Sequence, residues 1–247
     1  MSKINFNSVL IIGVGLIGSS IARAVKEYKL SNCIYGLDVN DNNIKTCESL
    51  NLITKGATKL LNFDEQFDLV IICSPLSSYK KIFSDLSNYV KKETLVTDVG
   101  STKMSVINDF KENTKNSLIK FIPSHPIAGL EKSGPEFGFA KLFSNRYCIL
   151  TPDNNDKKTI EIISNFWNAL GMKVQKMDAE HHDRVLAMTS HIPQLIAYSI
   201  VATATELETH LKDEVIKYSA AGFRDFTRLA GSDPIMWRDV YSKNKDA

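Results

Sequence analysis

Apolar residues in the first 150 positions come in short runs bounded by Gly, Pro, Asn and Asp. The runs are VLII (9–12), IYGL (34–37), LVIIC (69–73), LVT (95–97), KFI (120–122) and YCIL (147–150). Each is too short for a stable helix and rich in β-branched or aromatic residues, so each predicts a strand. Between several of them the apolar period lengthens to 3.6, which predicts helices over 16–28, 77–90 and 103–111. Strands alternating with helices in this way predict an α/β domain with a parallel sheet covered on both faces. The stretch 128–145 breaks the pattern with four Gly or Pro residues and predicts a long functional loop with a short turn of helix.

After Pro152 one more unit follows, a helix over 158–170 with Ile160, Ile163, Phe166, Trp167 and Leu170 on one face, then a strand over 173–176. From Asp178 onward the pattern is helical throughout. The segments 179–188 and 193–210 are so nearly continuous in Ala, Leu, Ile and Val that burial against more than one neighbour is expected. Two domains follow: 1–177, α/β, and 178–247, all-helical.

Composition adds exclusions. A chain with 23% charged residues and net charge +2 lacks the basic face of a nucleic-acid binder. Small polar ligands are the expected partners. Cys33, Cys47, Cys73 and Cys148 have no C-x-x-C spacing, which predicts neither zinc site nor disulfide framework and fits reduced thiols in the cytoplasm. The apolar N-terminal run is too short and too interrupted by glycine to cross a bilayer, and no other segment approaches the roughly 18 apolar residues that crossing needs. No membrane association and no metal are expected.

Candidate chemistry begins at VLIIGVGLIGSS (9–20). Gly13-x-Gly15-x-x-Gly18 lies between a predicted strand and a predicted helix, and Asp38 ends the next strand twenty positions after Gly18. In that context the first glycine permits a tight turn, the second lets the backbone approach a pyrophosphate, and the third allows close helix–strand packing. Free N–H groups at the helix start, from Gly15, Leu16 and Ile17, favour phosphate. Asp38 can accept from both ribose hydroxyls and repels a 2′-phosphate, so NAD is expected over NADP, all the more because DVNDNN holds no arginine. The alternative is a turn whose glycines serve packing alone.

Three further segments end on the same side: CSPLSS, DVGSTK (98–103) and SHPIAG (124–129). Ser74 and Pro75 are expected to wall the cofactor. Ser101 is either a hydrogen-bonding residue for nicotinamide or substrate, or the N-cap of the following helix; Lys103 either joins it or is a solvated lysine at the helix start. His125 has a neutral form suited to taking a hydroxyl proton as hydride leaves, and a bland alternative as a turn residue before proline. His181, His182 and His210 are weaker candidates, the adjacent pair being expected on a solvated first turn.

With the fingerprint, DVGSTK, HPIAGLEKSG, SHIPQ and FRDFTRLAGSDPIMWRD in that order, the sequence resembles the prephenate and arogenate dehydrogenases of tyrosine biosynthesis, from about residue 8 to 245. The last motif is the most specific. The resemblance implies a Rossmann-like NAD-binding domain, an all-helical dimerisation domain and oxidative decarboxylation of a cyclohexadienyl substrate, prephenate or arogenate. It makes His125 the proton acceptor with Ser101 beside it, and Arg228 the binder of a substrate carboxylate. His191 and Gln194 would lie near the substrate side chain; Glu131, Asp225 and Trp237 would shape the entrance or support Arg228. Arginine suits a carboxylate through paired planar hydrogen bonds, though Arg224 and Arg228 can also form surface ion pairs with Asp225 or Asp239. Gln194 stands where some relatives have histidine, and relatives continue with more helix beyond VYSKNKDA. The competing expectations are a β-hydroxyacid dehydrogenase, for which Lys212 and Lys217 lack a supporting motif, and a non-catalytic NAD sensor. A homodimer built mainly from residues after 178 is expected, because about 70 residues of helix hardly bury a core alone.

Overall fold

Alternate residues of the central strands feed two separate cores. In β1 (Phe6–Ile12), Val9 and Ile11 point to one face of the sheet and Leu10 and Ile12 to the other, and all four are buried. The same split holds for β4 (Leu69–Ile72). Strands apolar on both faces belong in a parallel sheet covered by helices. The computed structural model, which describes residues 5–130, 132–153, 157–206, 211, 214, 217–218 and 221–247, shows that arrangement.

With β2 (Ser31–Leu37), β3 (Lys55–Ala57), β5 (Thr94–Asp98) and β6 (Ile119–Ile122), these strands form a six-stranded sheet in the order β3-β2-β1-β4-β5-β6, parallel at every pairing. The order in which the chain adds strands reverses between β1 and β4, the switch point where ligands of such sheets sit. Helix α1 (Leu16–Glu27) and α5 (Lys157–Ala169) cover one face; α3 (Tyr79–Tyr89) and α4 (Met104–Asn113) cover the other. In the main sheet and its covering helices, β3 and α2 (Asp41–Ser49) have no counterpart in the sequence reading. The first is three residues long and the second buries only Ile44 and Cys47, so neither carries a full apolar period.

SHPIAG does not turn at its proline. Ser124–Pro126 is a strand, β7, antiparallel to β8 (Tyr147–Leu150), which pairs in parallel with β9 (Lys173–Lys176) in a small second sheet. The extended backbone required before proline suits a strand as well as a turn. The stretch 128–145 carries two short 3₁₀ turns, Pro135–Phe137 and Ala140–Phe143, laid on α1. Arg23 donates to the Pro135 carbonyl and the Phe139 N–H donates to Ser20 Oγ.

The helical part differs from expectation in its continuity, its apolar length and its burial, since among the described residues of the second apolar segment only Gln194 and Ala197 are buried. α6 (Ala179–Leu186) and α7 (Ile192–Thr205) are not separate: a π turn over Ala187–His191 joins them. A proline inside a helix clashes with the carbonyl four residues back, here Thr189, and the wider π turn takes up that strain, so Pro193 ends nothing. The merged helix, Ala179–Thr205, is long and apolar enough by length and composition to cross a membrane, against the expectation of no such segment. Among the described residues that follow are two more long helices, α8 (Ala221–Ala230) and α9 (Pro234–Lys243). Asp233 caps α9 by accepting from the Ile235 N–H. α9 then returns to the α/β domain, where Val240 and Trp237 join the core beneath α3 and Asp239 accepts from the Ser77 N–H at 3.2 Å.

Candidate active site

The glycine turn separates its three glycines by what a side chain would meet. Gly13 has φ +90°, and a Cβ there would lie 2.8 Å from the Cys73 carbonyl and the Ser74 nitrogen. At Gly18 a Cβ would stand 2.0 Å from the Gly13 oxygen. Packing accounts for both. It does not account for Gly15, where nothing lies within 4 Å of an added Cβ. Gly15 is also the N-cap of α1 and offers no side chain to the first-turn N–H groups, while that turn holds no acidic residue. An open, uncapped helix start is a site for an anion. Asp38 stands at the end of β2 and joins the turn by accepting from the Val14 N–H at 3.0 Å; Asn40 and Asn43 donate to the same carboxylate. Three donors leave about one of its four acceptor positions for a ligand. The residues present thus fit a dinucleotide. Ser74 is tied to Ser78 at 2.8 Å, and exposed Pro75 follows it at the end of β4.

His125, on β7, is buried, and its Nδ1 lies 3.0 Å from Nε2 of His182 on α6. His182 Nδ1 lies 2.8 Å from Asp183 Oδ1. Asp183 accepts in addition from the backbone N–H groups of Lys103 at 2.7 Å and Met104 at 2.9 Å, the open start of α4. A carboxylate only accepts, so His182 Nδ1 carries the proton and its Nε2 offers a lone pair. His125 Nδ1 must then donate, and its Nε2 is left unprotonated. Burial pulls His125 well below the ordinary imidazole value, with His182, Lys103 and His191 adding to the effect. Burial lowers His182 too, against the opposing pull of Asp183. The arrangement is a neutral imidazole whose tautomer is set by residues of α6.

This corrects the sequence reading at several positions. His182 is buried rather than solvated, while its neighbour His181 is exposed. Two adjacent residues cannot share a helix face, but one of them faces the α/β domain. Lys103 is fully buried rather than solvated, its Nζ donating to Asp98 Oδ2 at 2.7 Å and to the Ser124 carbonyl at 2.6 Å. The N-cap of α4 is Lys103 and not Ser101, because Asp183 supplies the capping oxygens from outside. Ser101 stands half-buried two residues before it.

His191 is buried at the end of the π turn, its Nδ1 3.1 Å from Asn244 Nδ2, and burial lowers it to about 4. The amide donates, so Nε2 carries the hydrogen; that nitrogen is buried without a partner. The Trp237 ring packs edge-on at 6.0 Å. Gln194 is buried and donates to the Leu229 carbonyl, which ties α7 to α8. Arg228 Nε lies 3.8 Å from Asp225 Oδ1 along α8, both side chains more than half exposed. Glu131, His210 and Lys212 lie outside the described residues, and Lys217 is exposed. His182 and Asp183 are the site residues that the sequence reading missed.

The chain has known relatives throughout its length. Residues 21–176 match the nucleotide-binding domain of prephenate dehydrogenase and residues 178–247 its dimerization domain. It is 37% identical to the cyclohexadienyl dehydrogenase of Zymomonas mobilis over 98% of this chain and 82% of that protein. Against the prephenate dehydrogenase of Bacillus subtilis identity is 35%, over 97% of this chain and 65% of the relative. The crystal structure of Aquifex aeolicus prephenate dehydrogenase, in complex with hydroxyphenyl propionate and NAD+, superposes with a TM-score of 0.92 at 36% identity, covering 99% of this chain and 85% of that one. With its nucleotide-binding domain and its helical second domain, the chain belongs to the prephenate dehydrogenase family.

Proposed function

We propose that this chain catalyses the NAD-dependent oxidative decarboxylation of prephenate or arogenate, giving 4-hydroxyphenylpyruvate or tyrosine. The observation that carries the reading is the hydrogen-bonded run Asp183–His182–His125, which leaves His125 Nε2 as a proton acceptor. When bound, NAD accepts hydride from the ring carbon that bears the hydroxyl. His125 takes the hydroxyl proton as that carbon becomes a carbonyl. Loss of the ring carboxylate as CO2 delivers its electron pair into the ring, which becomes aromatic, and His125 returns the proton to the phenolate oxygen. Ser101 is assigned to orient the hydroxyl. A base within hydrogen-bond reach, with a pKa below working pH, is available in its reactive form throughout.

Gly13, Gly15, Gly18 and the N–H groups of Leu16 and Ile17 are assigned to the pyrophosphate, Asp38 to the adenosine ribose, and Ser74 and Pro75 to the cofactor wall. The charge of Asp38 supports NAD over NADP. Arg228 is assigned to a substrate carboxylate, and Asp225, Trp237 and, from the sequence alone, Glu131 to the entrance or to support of Arg228; His191 and Gln194 are assigned to the substrate side chain, Gln194 also holding α8 in place. The apolar face of the long helix, with Met188, Ile192, Leu195 and Ile196 exposed, is assigned to a second copy of the chain rather than to a bilayer. A cytoplasmic enzyme accords with four free thiols. NADH formation with prephenate, arogenate and a panel of β-hydroxyacids tests the activity: turnover of the hydroxyacids alone, or of nothing, refutes it. Sedimentation at micromolar concentration tests the dimer, and a strict monomer refutes it.

A further inference from the structure

Lys103 is the one buried lysine among the described residues, and the chemistry proposed above gives it no task. A buried ion pair is a weak source of stability, because desolvating both charges offsets most of their attraction. What distinguishes this pair is its contacts. Lys103 Nζ donates to the Ser124 carbonyl at 2.6 Å and to Asp98 Oδ2 at 2.7 Å, while Asp98 Oδ1 accepts from the Ser124 N–H at 2.9 Å. Both backbone groups of Ser124 are thus held by the two ends of one ion pair, and the next residue is His125. The backbone N–H of Lys103 meanwhile donates to Asp183, the far end of the imidazole run. One residue therefore touches the support of the base at both ends.

The charge acts on the same place. Around the ammonium stand Asp98 from β5, with Tyr79 of α3 on the same carboxylate at 3.3 Å; Cys148 from β8; and His182 and Asp183 from α6. Beyond them lie Cys73 at the end of β4 and His191 on the π turn. A proton added to the imidazole pair would place a second positive charge beside Lys103 in a buried region. The carboxylates oppose this, but Asp98 is engaged by Lys103 itself and Asp183 by two backbone N–H groups.

We infer that Lys103 is a positioning residue for the base: its buried ammonium fixes the direction of His125 through Ser124 and keeps the imidazole pair unprotonated in the working range. The inference rests on the proposed role of His125 and goes beyond it. Burial and Lys103 both lower His125, so loss of the charge raises the pH at which the base is lost.

Lys103→Gln separates charge from hydrogen bonding, since the amide still donates to Ser124 or Asp98. In it the acid limb of kcat/KM against pH moves up by about one pH unit, the low end for a close charge. Its plateau kcat falls by about tenfold, and NAD affinity stays within about twofold of wild type. Lys103→Met shows the same displaced limb with a larger fall in kcat. A folded Gln variant with an unmoved limb overturns the inference, as does failure of both variants to fold at pH 7, which makes the lysine structural only. His125→Asn with wild-type turnover refutes the base itself, independently of Lys103.

Discussion

The glycine turn draws its parts from residues 13–18 and one carboxylate whose bond to the turn spans 24 positions. The proposed base draws on His125, His182 and Asp183, with bonds that span 57 positions to the imidazole and 80 from Lys103 to the carboxylate. Both lie on the carboxyl side of one sheet. The turn is complete once its strand and helix form, whereas the base exists only when α6 of the helical domain seats against α4 and β7. A nucleotide site built locally and a catalytic group assembled across a domain boundary should fail in different ways. Binding should survive damage that abolishes turnover.

The largest effect tests that separation directly. His125→Asn lowers kcat by about 10²–10⁴-fold, the range for lost acid–base assistance, and leaves NAD affinity within about twofold. Stopped-flow turnover beside a fluorescence titration of cofactor reads both; a parallel loss of the two would merge what the structure keeps apart. Next comes Asp183→Asn, which lets an amide donor face His182 Nδ1 and favours the wrong tautomer. It lowers kcat by about 10²-fold and costs about 1 kcal/mol through the lost cap on α4. A variant with lower melting temperature but normal kcat would reduce Asp183 to a cap.

Gly15→Val sharpens the other side. The added side chain enters open space, so the fold should hold while NAD affinity falls by roughly tenfold or more. Gly18→Val meets the Gly13 oxygen and should lose stability before affinity can be measured. A Gly15 variant that binds NAD normally would assign all three glycines to packing. The smallest effect is thermodynamic. His125, His182 and His191 have pKa values lowered in the folded chain, so below about pH 6.5 the unfolded chain binds more protons and stability falls with pH. For His191 the window runs from about 6.5 down to about 4, at no more than about 1.4 kcal/mol per pH unit. His191→Gln should flatten that part of the denaturation profile, and an unchanged slope would mean that His191 is not neutral in the fold.

The same contrast explains what could be read from the sequence. The six strands 9–12 to 147–150 and the helices between them repeat a local period, and the glycine turn is a local pattern too, so both were legible. His182 was not. Its sequence context, a polar helix start beside His181, is that of a solvated residue, and only the docking of α6 turns it inward. The N-cap alternative for Ser101 and the solvated one for Lys103 fail for the same reason: the oxygens that cap α4 come from Asp183, far along the chain. The long helix Ala179–Thr205 divides into two segments in the sequence, at a proline that ordinarily breaks a helix, and no local pattern announces a π turn.

The return of α9 to the first domain gives the order of synthesis a chemical meaning. Asp239 reaches a backbone group 162 positions earlier, and Asn244 secures both His191 and the Asp183 carbonyl. On the ribosome the sheet and its glycine turn emerge first and are free to fold, because domains form as they leave the tunnel. The segment that steadies the imidazole run emerges after everything it steadies. A nascent or clipped chain ending before α9 would hold nucleotide without a settled base, so competence for binding precedes competence for turnover.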